Sequence, residues 1–350
     1  MSAQHTRSGS FVQEAREALN QMRPADAIQL FDKAERAGEE PDTCSAGRWT
    51  CYMLRGQFEK AWAESDAIER RGRPDPHRFW DGKPFRDKHV MIRCLHGLGD
   101  TLQFIRFVPS IREQAATVTV EVQPGLKTLL AQAGIADHVT TWGDPEPYWN
   151  QQIEVNELPK ILRVTEASLP GAPYLSLPDS RLKRLRATPG TVKVGLVWSA
   201  SAYNQLRSIR LEQLAPLFQL NGFSFFSLQA GSACEELRPW AGVIENLSER
   251  AADVLETAQN MAATDLVITV DTMTAHLAGA LGIPTWTLLP FACDWRWMTD
   301  RSDTPWYGSM RLFRQERPGD WTSVVRRLTG ELGTLYDDEL SPSSATQSVR

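Results

Sequence analysis

The sequence predicts an α/β protein of two doubly wound halves behind a short α-helical segment, and three observations predict it. From about residue 88, strand-length apolar runs alternate with amphipathic helical stretches. The alternation stops at a basic, Pro- and Gly-bearing stretch from Leu169 to Gly190 and resumes at Lys193, which divides it into two similar Rossmann-like halves. Residues 11–70 carry apolar and small residues at helical spacing with almost no strand pattern. The expected layout is therefore a disordered 1–10, helices over 11–75, a first half over 85–175 and a second over 190–320. A helix over 321–336 should return to the first half, ahead of a disordered, Ser-rich tail at 337–350.

Each element has its own signal. In the helical segment Ala15, Ala18, Leu19, Ala27, Ile28, Phe31 and Ala34 form a stripe that recurs 34 residues later: Ala27-Ile28 matches Ala61-Trp62, Ala34 matches Ile68 and Leu19 matches Met53. Leu54-Arg55-Gly56-Gln57-Phe58 supplies the turn of the second unit. The segment resembles tetratricopeptide repeats, whose period it shares, although a plain helical extension also fits. Two units are too few to stand alone, so they should pack on the next domain or on a partner. In the first half Val90–Leu95, Thr117–Val122, Val139–Trp142 and Ile153–Val155 read as strands, with helices over 101–113 and 125–133. The second half offers strands at 193–198, 223–228, 243–245, 266–270 and 285–289, and helices near 208–220, 249–263 and 273–281.

Composition narrows the function classes. A net charge of −5 without a long basic run disfavours nucleic acid as a partner. No signal-peptide core opens the chain and no run of about 18 apolar residues occurs, so a cytoplasmic protein without a transmembrane segment is expected, at most peripheral at the inner membrane face. Five scattered cysteines without a C-x-x-C pair read as reduced thiols, Cys44 and Cys51 as helix-packing residues.

Three strand-to-helix junctions carry chemistry. Leu95-His96-Gly97-Leu98-Gly99-Asp100-Thr101 sets an acid at a helix start beyond the carboxyl end of a strand, where open α/β sheets build their sites. Helix-terminal amides favour the ionised carboxylate there, as a proton acceptor needs, while an ordinary helix-capping aspartate is the plainer alternative. The glycines admit close approach of another molecule, making His96, Gly97, Leu98 and Gly99 candidates for the acceptor side. The second junction is Asp271-Thr272-Met273-Thr274-Ala275-His276: free amides and the Thr272 and Thr274 hydroxyls form a cradle for a diphosphate, and His276 shares a helix face with Thr272. A packed histidine and a capping Asp271 are the alternatives. The third is Ser199-Ala200-Ser201 with Arg207-Ser208-Ile209-Arg210, where Arg207 is the candidate phosphate clamp. Gln229, at the end of its strand, faces the same rim and could meet a base or ribose.

Together these segments resemble family 9 glycosyltransferases of the heptosyltransferase type, which have the GT-B fold. The resemblance covers about residues 85–335 and rests on Gly97-Leu98-Gly99-Asp100, on Val194-Gly195-Leu196-Val197-Trp198 with Arg207-Ser208-Ile209, and on Val270 through Pro284. Leu289-Pro290-Phe291 with Asp294-Trp295-Arg296-Trp297 is similar to the subset carrying tetratricopeptide repeats in front of the transferase. The resemblance implies that Asp100 is the general base, that Arg207 lies near the donor phosphate, and that Asp271, Thr272 and His276 bind a nucleotide-sugar; Ser199, Gln229, Met273 and Thr274 are further donor-side candidates from their places at the same junctions. Met273 stands where those enzymes commonly carry glycine, and Arg207 where they carry lysine.

The implied activity is an inverting transfer from an NDP-sugar, ADP-heptose-like or other, to a hydroxyl of a glycan, lipid-linked or protein acceptor. No cofactor and no metal are expected, since the sequence has no Asp-x-Asp triplet and its six histidines do not cluster. Domain closure would bring the halves together, and residues 11–70 could engage a protein partner. Trp295, Trp297, Trp306 and Tyr307 would either stack on sugar or pack between domains. A sugar-nucleotide epimerase or hydrolase on the same fold, and a non-catalytic repeat adaptor, are the alternative functions.

Overall fold

The computed structural model describes residues 5–72, 79–177, 185, 187–201, 204–251 and 253–340. Its first four helices, α1 (His5–Asn20), α2 (Pro24–Arg36), α3 (Pro41–Leu54) and α4 (Phe58–Arg70), pack consecutively. Pro24 and Pro41 open α2 and α3, where the missing N–H costs nothing. Helix α1 begins at His5, so the expected disorder over 1–10 is corrected for 5–10; residues 1–4 lie outside the described residues. Val12, Ala15, Ala18, Ala27, Phe31, Ala34, Cys44 and Cys51 form a small core of their own. Beneath it the buried Arg48 guanidinium holds Glu64 at 2.6 Å and Glu35 at 2.7 Å. Helix α4 and the end of α3 face inward: Met53, Phe58, Ala61 and Trp62 belong to the main core, and the Trp62 indole donates to the Val164 carbonyl at 2.7 Å.

The first half runs β1 (His89–Arg93), α5 (Leu98–Phe104), α6 (Val108–Arg112), β2 (Thr117–Val122), α7 (Lys127–Ala133), β3 (His138–Thr141), β4 (Gln151–Glu154) and α8 (Leu158–Ile161). Its parallel sheet has the order β3-β2-β1-β4. The second half runs β5 (Val192–Val197), β6 (Phe223–Ser227), β7 (Ile244–Asn246), α9 (Val254–Ala262), β8 (Leu266–Val270), α10 (Met273–Leu281), β9 (Thr285–Leu289), β10 (Met310–Arg314) and α11 (Trp321–Leu340). Its sheet is also parallel, in the order β10-β9-β8-β5-β6-β7. Both are doubly wound: strand order reverses at β1/β4 and at β5/β8, the positions where such sheets open a crevice at their carboxyl ends.

The halves are already closed on each other. Helix α5 packs against α10, and one apolar core runs from Val90 and Ile105 through Phe58 and Trp62 to Ala275, Trp297 and Trp306. Three sequence expectations need correction. Helix α11 does not return to the first half; its stripe Trp321, Val324, Val325, Leu328 and Leu332 joins Leu211, Leu214, Leu217 and the strands of the second sheet in a separate core. It also continues through 337–340, leaving 341–350 of the expected tail outside the described residues. The helix expected over 208–220 is a run of 3-10 turns from Leu211 to Gln219, with Pro216 inside it. Among the described residues no helix is long and apolar enough to cross a membrane.

Candidate functional site

Asp100 is the third residue of α5. Gly97 caps the helix in an extended conformation and donates its N–H to Asp100 Oδ2 at 2.9 Å, fixing one edge of the carboxylate. The other edge, Oδ1, accepts from Nη2 of Arg296, which comes from the second half. That guanidinium also donates through Nε to Gln103 at 2.6 Å and through Nη1 to Asp294 at 2.9 Å. The Phe104 and Trp295 rings lie 5.5 Å and 4.7 Å from its centre. Burial opposes its charge, but Asp294 and Asp100 prevail and hold its pKa above the ordinary value.

The two halves touch next to this acid. A Cβ on Gly99 would lie 2.9 Å from Cδ2 of His276 and 3.6 Å from the Met273 backbone, so glycine is what lets α5 meet α10. Leu98 is half-buried against the same core. His96 is exposed on the rim with Nε2 3.9 Å from Oε1 of Glu154. Glu154, at the end of β4, is buried and accepts from the backbone N–H of Asn156 at 2.6 Å and, more weakly, of Leu95 at 3.5 Å. Burial pushes its carboxyl up to about 7; the two backbone donors oppose this, and the negative charges of Glu157 and Asp100 add to it.

Across the gap, Asp271 follows β8 and Thr272 caps α10, its hydroxyl accepting the Thr274 N–H at 3.2 Å. Asp271 is buried with Oδ2 3.6 Å from Nη1 of Arg207, too far for a hydrogen bond. Asp271 Oδ2 and Arg207 Nε thus lack hydrogen-bond partners among the described residues. Burial raises the Asp271 carboxyl, Asp294 adds to this and Arg207 opposes it. Met273 is half-buried at the first position of α10, and Thr274 is buried behind it.

His276 points inward. Its Nδ1 meets the Tyr307 hydroxyl at 2.9 Å and its ring stacks on Trp297 at 5.4 Å. Burial, then the cations Arg296, Arg207 and Arg106, push its pKa down to about 3, so the ring is neutral at pH 7. Gln229 sits at the end of β6 with its carboxamide turned to backbone: Oε1 accepts from Trp198 and Ser199, and Nε2 donates to the Ser199 and Ala230 carbonyls. That clasp shapes the loop after β5, where Ser199 lies beside Ser208. Trp297, Trp306 and Tyr307 are buried in the core shared by both halves.

The structure therefore brings Asp100, Gly99, Met273 and His276 together at the α5–α10 contact, and Arg207 beside Asp271. Ser199 and Gln229 occupy the neighbouring switch point at β5. Sequence reasoning missed Arg296 and Glu154. Arg296 had a signal, a lone cation inside the aromatic run Trp295–Trp297, whereas Glu154, ending the mostly polar strand Gln151–Glu154, had none.

The sequence matches no protein-family profile. Protein FlbA of Caulobacter vibrioides is 27% identical over 336 residues, covering 81% of this chain and 54% of that protein, so the chain spans about half the length of this curated relative. Among solved structures, the E. coli ADP-heptose LPS heptosyltransferase II superposes with a TM-score of 0.51 at 13% identity, over 72% of this chain and 100% of that one. A family 9 glycosyl transferase from Veillonella parvula gives a TM-score of 0.45 at 11% identity, over 75% and 92% of the respective chains. The likeness to heptosyltransferase II establishes the fold, a pair of facing parallel-sheet α/β halves.

Proposed function

We propose that the protein is an inverting glycosyltransferase that takes a sugar from a nucleotide-diphosphate donor. The observation that carries this reading is the contact of α5, the helix bearing Asp100, with α10, whose N-terminus follows Asp271 and its neighbour Arg207, each helix leaving its sheet beside a strand-order reversal. The fold shared with heptosyltransferase II supports it.

In this reading the donor lies on the second half. The N-terminus of α10 and the Arg207 guanidinium take the diphosphate, which exchanges with the Thr272 hydroxyl for the Thr274 N–H. The acceptor hydroxyl enters on the side of His96 and Gly97, donates its proton to Asp100 and attacks the anomeric carbon from the face opposite the diphosphate. The bond from that carbon to the phosphate oxygen breaks, its electron pair leaving with the diphosphate, and the configuration inverts. Arg207 and the helix dipole stabilise the charge that develops there, which is the work a divalent cation does in other transferases. Four buried or half-buried aromatics hold the halves together rather than lying open to a sugar. The α3–α4 pair is committed to the core, which leaves α1 and α2 as the face for a protein partner.

Asp100→Asn is the direct test. It should keep donor binding, read by calorimetry, and lose transfer by about 10²- to 10⁴-fold; an unchanged transfer rate removes Asp100 from the role. A thermal-shift panel of ADP-, GDP-, UDP- and dTDP-sugars identifies the donor, and incubation with and without acceptor separates a transferase from a hydrolase.

A further inference from the structure

The helical segment reaches the candidate base through two contacts. Trp49 of α3 meets Trp295 edge-on, ring centres 5.2 Å apart. One turn later the Leu54 carbonyl, at the end of α3, accepts both the N–H of Thr299 at 2.8 Å and its hydroxyl at 3.2 Å. Helix α3 thus grips both ends of the 294–299 loop. Within that loop Asp294 caps the Trp295–Trp297 turn through the Arg296 N–H at 3.0 Å and holds the Arg296 side chain as well. Phe104, from the first half, lies parallel to Trp295 at 6.4 Å and also flanks the guanidinium.

We propose that Arg296 is the positioning residue for Asp100, and that α3, through Trp49, is what sets Arg296. This rests on the reading of Asp100 as the base. An acid that must take a proton along a defined line needs its carboxylate plane fixed. Here the Gly97 N–H fixes Oδ2 and Arg296 fixes Oδ1, leaving the second lone pair of each oxygen for the acceptor hydroxyl. When Asp100 takes the proton its charge disappears, but Asp294 still compensates Arg296, so the guanidinium need not move during the step. The helices are then part of the machinery and not only a docking module, because α3 holds the loop at Trp295 and again at Thr299.

Kinetics on the full chain test the proposal. Arg296→Gln should lower kcat at least tenfold with donor Kd changed less than twofold, and Arg296→Lys should recover part of the loss. Trp49→Ala should lower kcat in the same sense, again with donor Kd preserved. Should Trp49→Ala fail to fold, a double-mutant cycle of Trp49→Phe and Arg296→Lys decides the matter. Coupled residues give a double-mutant kcat above the product of the single losses by threefold or more, and independent ones give the product. A multiplicative result, or kcat and Kd worsening in proportion, overturns the proposal. Asp100→Asn is run alongside: full activity there sinks the reading of the base, whereas an inactive Asp100→Asn beside a fully active Arg296→Gln sinks only the positioning role.

Discussion

Gly99 lies where α5 of the first half meets α10 of the second, and its missing side chain has a measurable price. An alanine Cβ would press on the His276 ring, which Trp297 and Tyr307 hold in place and which cannot swing away. Gly99→Ala should therefore destabilise the protein by about 1–3 kcal/mol, read as a lower urea midpoint. His276 and Glu154 give the stability curve two opposed slopes. The folded protein refuses a proton on His276 until about pH 3, whereas the unfolded chain accepts one near 6.5, so stability falls as pH drops through that window. Glu154 behaves in the reverse way: the fold keeps its proton up to about pH 7, the unfolded chain releases it near 4.5, and stability falls as pH rises between the two. Each slope is at most about 1.4 kcal/mol per pH unit. Urea titrations across the window should show His276→Gln losing the acid slope, and Glu154→Gln gaining on wild type as pH rises from 4.5 to 7.

The strands at the centre of each sheet were legible because burial on both faces demands continuous apolar runs: Leu266–Val270 and Thr285–Leu289 fall where the sequence places them. The junctions that follow β1 and β8 were legible for the same reason, and they carried Asp100, Asp271 and Thr272 with them. Strand β10 was not. Arg311 interrupts and Arg314 ends the run Met310, Leu312 and Phe313: Arg311, on the edge strand, lies 5.7 Å from Trp286 and pairs with Glu331 of α11 at 3.0 Å, while Arg314 donates to the Arg301 carbonyl at 3.1 Å. The placement of α11 was misjudged because its stripe would fit either sheet, and the partners that decide it, Leu211, Leu214 and Leu217, lie in turns that read as a helix. Leu328→Ala, at the centre of that contact, should cost about 2–5 kcal/mol in denaturant titration. Arg296 and Glu154 escaped for a different reason. Their roles arise from residues 196 and 59 positions away in the chain, which no local pattern records.

At the scale of the molecule, the shared core makes the helical segment and both halves one cooperative body. A single calorimetric transition is expected for the intact chain. Deleting residues 1–72 would uncover Trp295, Trp306 and the Val164 carbonyl, which Trp49, Phe58 and Trp62 now cover, and should shift that transition down with increased dye binding. The same closure bears on biosynthesis. Arg106 donates to the Trp306 carbonyl across 200 residues of sequence, and Asp100 meets its arginine across 196. On a ribosome adding about 5–20 residues per second, the lobe bearing the acid must wait roughly 10–40 s with its apolar flank bare before the segment that seals it emerges. Nascent chains stalled before residue 290 should therefore be clients of a holdase, and released chains, with α11 in place, should not.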